Sequence, residues 1–153
     1  MKKGIKVSVG IFLLLFVLFT AVIVYAKEGP NAVSEGQIVD NDFIKADTLI
    51  ENKGAIKGDL IVFAQTMTST GIVEGDIIAG ANTIAIDGAV GGSVRVGGIN
   101  VLVSSTVGRN AMVFGSNVNL DESVHIKGNA YLFGEQINAE GVIEGKTRIY
   151  GQN

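Results

Sequence analysis

From Asn41 onward, this 153-residue chain repeats itself every 17 residues. The clearest copy is Gly75-Asp76-Ile77-Ile78-Ala79-Gly80-Ala81-Asn82-Thr83-Ile84-Ala85-Ile86-Asp87-Gly88. Copies begin at Asn41, Gly58, Gly75, Gly92, Arg109, Gly128 and Gly145; every step is 17 residues except one of 19 after Arg109. A short fixed period leaves few folds open, because each copy must be one structural unit packed on the next.

With the first residue of each copy as position zero, five columns carry apolar residues. Position +2 holds Leu60, Ile77 and Val94, and position +4 holds Val62, Ala79 and Val96. Position +9 holds Met67, Ile84 and Val101, position +11 holds Ile86, Val103 and Leu120, and Val or Ile stands two before each zero. Apolar and polar residues alternate within each segment, as in a strand with one buried face. Val and Ile also suit a pleated sheet. Small residues fall at zero, +6 and +13, and glycine at such corners permits positive φ and leaves no side chain to strike the next copy. Three short strands and three corners per repeat describe one rung of a single-stranded parallel β-helix, about 17 residues per rung, six to seven rungs in all. Two-helix repeats need roughly 33 residues or more per unit. An antiparallel sandwich has no reason to keep identical columns at a 17-residue interval.

The 21 glycines lie almost wholly inside the repeats, and the absence of cysteine excludes disulfides and thiolate metal sites. Beyond Pro30 there are 8 Lys/Arg against 14 Asp/Glu, a net charge of −6. A dispersed acidic surface argues against nucleic acid, which needs clustered positive charge.

Residues 1–26 read as a transmembrane anchor. Lys2, Lys3 and Lys6 precede twenty uncharged residues, Val7 to Ala26, with Ile11, Leu14, Phe16 and Leu18 in the apolar centre. About 20 such residues cross a bilayer as a helix. The lysines place the N-terminus inside and the repeats on the extracytoplasmic side. The alternative is a secretory signal cleaved near Ala26, leaving a secreted domain. Residues 27–36, with Gly29-Pro30-Asn31, read as a linker, and residues 37–153 as the β-helix domain.

Exposed strand edges at the ends of a solenoid are templates for further pairing unless blunted. The first copy carries Lys45 and Asn52 in apolar columns, as a cap would. The last runs Gly145-Lys146-Thr147-Arg148-Ile149-Tyr150-Gly151 and carries no such polar cap. The residues expected to mediate self-assembly are Phe133, Ile143, Ile149 and Tyr150, with a homopolymer or homo-oligomer as the result.

Other candidates are weaker. Aligned carboxylates at Asp42, Asp59 and Asp76 resemble a Ca²⁺ ladder. Their column continues as Ser93, Asn110 and Asn129, which suits a turn better. Phe63, Phe114, Phe133 and Tyr150 share position +5, either packed at a corner or exposed for a sugar or partner. His125, the one histidine, falls in the 19-residue copy and reads as part of a surface bulge. The rung is not built of hexapeptides, as acyltransferase β-helices are, and no loop is long enough to wall a cleft. No catalytic constellation, cofactor or nucleotide site is expected.

The units Ile56-Lys57-Gly58-Asp59-Leu60, Val73-Glu74-Gly75-Asp76-Ile77 and Ile126-Lys127-Gly128-Asn129-Ala130-Tyr131-Leu132-Phe133-Gly134 resemble those of the bactofilins, polymer-forming bacterial cytoskeletal proteins. The resemblance spans about Ile38 to Gly151. It implies a right-handed β-helix that polymerises end to end without nucleotide or metal, often at membranes, serving cell shape or scaffolding. The hydrophobic leader departs from the usual cytoplasmic pattern. A cell-surface β-helix that binds glycan or a protein partner is the alternative function.

Overall fold

The computed structural model describes residues 31–151. The anchor expected over residues 1–26 lies outside them, and among the described residues no helix is long and apolar enough to cross a membrane. The described chain is all-β, a parallel solenoid of about seven rungs at about 17 residues each.

Most rungs contribute one ten-residue strand and one two-residue strand. The long strands are β3 (Phe43–Asn52), β5 (Leu60–Ser69), β7 (Ile77–Ile86), β8 (Val94–Val103), β10 (Ala111–Leu120) and β12 (Ala130–Ala139), with a shorter β14 (Thr147–Gly151) after them. They stack in the order β3-β5-β7-β8-β10-β12-β14, led by β1 (Ala32–Val33). The two-residue strands form the third side. They are β2 (Ile38–Val39), β4 (Ala55–Ile56), β6 (Ile72–Val73), β9 (Thr106–Val107), β11 (His125–Ile126) and β13 (Val142–Ile143), bridged across the middle by Val90.

Register follows the repeat. Phe43 lies against Leu60, Leu60 against Ile77, Ile77 against Val94 and Val94 against Ala111. The longer step puts Ala111 against Ala130, and Ala130 then lies against Thr147. The first two strand segments expected per rung are thus one strand, bent at the +6 corner. Register lapses there at single residues such as Gln65, Asn82 and Ile99. The inward phase also changes: +2 and +4 face the core before the corner, +9 and +11 after it.

All five apolar columns line one continuous core. Packing explains the glycines more than backbone freedom does. Among the described residues only Gly36 has positive φ, at 77°, so the expectation of left-handed corners fails elsewhere. A Cβ on Gly71 would instead strike the carbonyl oxygen of Gly54 one rung below, and one on Gly88 that of Gly71. Where Gly54, Gly71 and Gly88 stack, the backbones lie too close for a side chain.

The solenoid also begins earlier than expected. Ala32 and Val33, inside the stretch read as a linker, pair with Glu51 and Asn52, and Val33 is fully buried. Gly36 turns the chain beyond β1, and the carbonyls of Val33, Gln37 and Val39 accept hydrogen bonds from Lys53, Ala55 and Lys57. The insertion of the 19-residue step occupies 121–123, where Asp121 Oδ1 accepts from both the amide and the hydroxyl of Ser123. Val124, not Glu122, fills the +13 corner and is buried. His125 is consequently a strand residue, in register with Thr106 and Val142, and not part of the bulge.

Candidate functional site

The four residues expected to mediate assembly gather at one end. β14 pairs on one side only, with β12, and all five of its residues are exposed. Ile149 occupies the +4 column directly above Leu132, yet Ile149 is 53% exposed where Leu132 is 0% exposed. Tyr150 stacks on Phe133 with ring centroids 4.9 Å apart and planes 5° from parallel. Ile143 in β13 is half-buried against the core, on the third side of the same end. Ile137 joins them: its +9 column mates are buried, but it is only partly covered.

The aromatic column is real but broken. Phe114 stacks on Phe133 at 4.6 Å and 8°, extending the ladder Phe114-Phe133-Tyr150 to the open edge. Phe63 stands apart, since the two intervening rungs hold Gly80 and Gly97 at this position. Phe63 and Phe114 are both exposed, so the column is not a packed corner.

The Asp42, Asp59, Asp76 column has a structural use. Asp42 Oδ1 accepts from the amide of Asp59 at 2.8 Å, Asp59 Oδ1 from that of Asp76 at 2.8 Å, and Asp76 Oδ1 from that of Ser93 at 2.7 Å. Asn110 and Asn129 continue the ladder onto Asn129 and Lys146, each at 2.9 Å. Every side chain thus caps a backbone donor at the next corner, as Asx side chains do in turns. Position zero favours glycine, because the capping oxygen and the backbone of the copy beneath both crowd the space of its Cβ at Gly58, Gly75, Gly92, Gly128 and Gly145. Arg109 is tolerated at zero where the residue beneath is Ser93, whose shorter side chain reaches the Asn110 amide only at 3.5 Å.

Charge contacts are few and superficial. Arg95 pairs with Asp76, and Lys57 with Asp40 at 2.7 Å. The Asp76 carboxyl is held below its ordinary range, first by the Ser93 amide and then by Arg95. Asp121 is lowered too, first by the Ser104 hydroxyl and then by Ser123. His125 Nε2 lies 2.6 Å from Glu144 Oε1 across one rung, a pair invisible in sequence because it spans 19 residues.

A second exposed array lies beyond the +6 corner. Asn117 Nδ2 donates to Asn100 Oδ1 at 2.7 Å, and Asn138 Nδ2 to Asn119 Oδ1 at 3.1 Å. Shallow clefts along this side are lined by Thr83, Asn100, Asn117, Asn119 and Gln136. No known family, characterised protein or solved structure matches the chain.

Proposed function

We propose that this chain is a non-enzymatic structural protein. Its β-helix, wound right-handed, joins end to end with further copies into filaments or oligomers and forms a membrane-associated scaffold. The N-terminal segment spans the membrane once and holds the solenoid on the extracytoplasmic side, where it serves cell shape or envelope organisation as the bactofilin resemblance implies. The chain needs neither nucleotide nor cofactor for this.

The observation that carries the reading is the contrast within the +4 column: Leu132 is fully buried and Ile149, one rung on, is half exposed above an unpaired strand edge. A β-edge with apolar neighbours and no blunting charge on its inward column recruits another strand. A second copy presenting the same end would pair the free backbone groups of β14 and cover Ile137, Ile143, Ile149 and Tyr150 together. Electron microscopy and sedimentation of residues 31–153 test it. Filaments or defined oligomers are expected in plain buffer, and their loss in Ile149→Asp. Monomers at high concentration, with no change in either Ile149→Asp or Tyr150→Ala, would sink the reading. Protease added outside intact cells should cut the domain.

The carboxamide array gives a second reading some footing: a surface module that binds glycan or a protein partner along a flat side. In that case Asn117→Ala or Phe114→Ala would abolish ligand retention while leaving the oligomeric state unchanged.

A further inference from the structure

Apolar side chains are exposed unevenly around the solenoid. The side between the zero and +6 corners turns its +1, +3 and +5 residues outward, and on it Ile44, Phe63, Met112, Phe114 and Tyr150 are all exposed. Leu49 and Ile99 carry this surface just around the +6 corner. The other two sides differ. The one from +6 to +13 presents mostly threonines and carboxamides. The third sets a charged column, Asp40, Lys57, Glu74, Lys127 and Glu144, beside its scattered exposed aliphatics. A contiguous apolar surface of this kind marks a place where a protein or a membrane sits.

The point of chain entry decides between these two. β1 runs parallel to β3, with Ala32 against Glu51 in the +10 column, and the Asn31 carbonyl accepts from the Glu51 amide at 3.3 Å. The N-terminal end of β1 therefore points at the +6 corner, the border of the apolar side. Only the stretch Lys27 to Asn31 separates β1 from the uncharged segment Val7 to Ala26. Such a stretch reaches at most about 18 Å, so a segment held in the bilayer keeps this corner at its surface. Charge is distributed to match. The aromatic +5 column borders the +6 corner, whereas Asp42, Asp59 and Asp76 lie at the opposite edge, their Oδ1 atoms capping backbone amides. The cations of the side can lay their stems on apolar neighbours and keep their heads among phosphates. Arg148 already does the first, its guanidinium 5.7 Å from the centre of the Tyr131 ring.

We propose that this side lies on the lipid bilayer. It is tilted so that the +5 column and the +6 corner sink into the headgroup region and the Asp column stays in water. The placement rests on the membrane anchor proposed above. Tethering raises the local concentration of the apolar side at the membrane, so a shallow contact suffices to hold it. A fluid surface needs no register, which suits a column where Gly80 and Gly97 interrupt the rings. Phe and Tyr are also the side chains that favour the boundary between apolar chains and water. End-to-end joining preserves the arrangement. Two β14 edges paired antiparallel are related by an axis normal to the sheet, which leaves both apolar sides facing the same way.

The full chain in phosphatidylcholine vesicles tests it. The chain has no tryptophan, so a single introduced one reports depth through quenching by lipids brominated on their acyl chains. Phe114→Trp should be quenched several-fold more than Thr106→Trp on the third side or Asp87→Trp on the second, with Asn110→Trp in between. Adding Phe63→Asp and Met112→Asp to Phe114→Trp should abolish the quenching. That variant should still resist alkaline carbonate extraction and keep its circular dichroism spectrum. Release by carbonate, with quenching intact beforehand, would sink the anchor and keep the face. Retention of the chain with Phe114→Trp no more quenched than Thr106→Trp would overturn the face and keep the anchor. A blue-shifted Phe114→Trp that brominated lipid leaves untouched would mean that protein covers this side, and overturns the proposal as well.

Discussion

The two ends of the described solenoid are built on opposite plans. At the first, β1 and the turn at Gly36 lay a partial rung over β3, burying Val33 completely and accepting hydrogen bonds from Lys53, Ala55 and Lys57. Beneath it the core turns polar, with Lys45, Asn52 and Ser69 all buried. At the other end Ile137, Ile143 and Ile149 are apolar and incompletely covered. Burying polar groups under a lid makes an end that pairs poorly with a stranger, since their hydrogen bonds must be met locally. Leaving aliphatic residues and a strand edge open makes an end that gains by meeting one. The contrast separates an end covered by its own chain from one whose aliphatic residues stay open.

The largest expected effect separates interior from edge. Ile84→Ala, in a fully packed rung, should cost about 2–5 kcal/mol in urea unfolding of the monomer. Ile149→Ala should cost less than about 1 kcal/mol, because little apolar surface is covered there. Equal losses would mean that the last rung is as tightly held as the middle.

Next come two adjacent glycines. Gly98→Ala drives a methyl into the Ala81 carbonyl and should destabilise by about 1–3 kcal/mol. Gly97→Ala should be neutral or stabilising by up to about 1 kcal/mol. At the closed end, Ser69→Ala removes the acceptor 3.1 Å from Asn52 Nδ2, and Asn52 Oδ1 already lacks a partner. A loss of about 1–3 kcal/mol follows from the stranded donor. Replacing both residues, as Asn52→Leu with Ser69→Ala, should restore most of it.

The smallest effect is a pH dependence. Asp76 is depressed below its ordinary 3.8, so the folded state holds that proton less tightly than the unfolded chain. Its contribution is complete above the ordinary value, declines as pH falls through it, and is gone below the depressed one. Asp76→Asn should flatten the acid limb of the stability curve between those limits and leave it unchanged near neutrality.

The rung length and the buried columns were legible because identical neighbours force every side chain to recur at a fixed interval. What escaped reading depends on contacts between unlike residues. Val33 was hidden because its step to Asn52 is 19 residues in a stretch with no copy behind it. The shift of the +13 corner from Glu122 to Val124 turned on which side of the insertion resumes register, which sequence spacing alone leaves open. Glycine at zero looked like a requirement for positive φ, and it answers instead to crowding by the backbone and the carboxylate or carboxamide one rung below. Arg109 above Ser93 was the visible clue. Gly97 and Gly98 read alike as letters, and only the geometry separates them.

The central claim, that the β14 edge joins copies, is tested most directly by sedimentation of residues 31–153 in wild-type and Ile149→Asp forms over a wide concentration range. Concentration-dependent association of the wild type is expected, and its loss in the variant. Wild-type chains that stay monomeric throughout, or Ile149→Asp chains that associate as the wild type does, would contradict it.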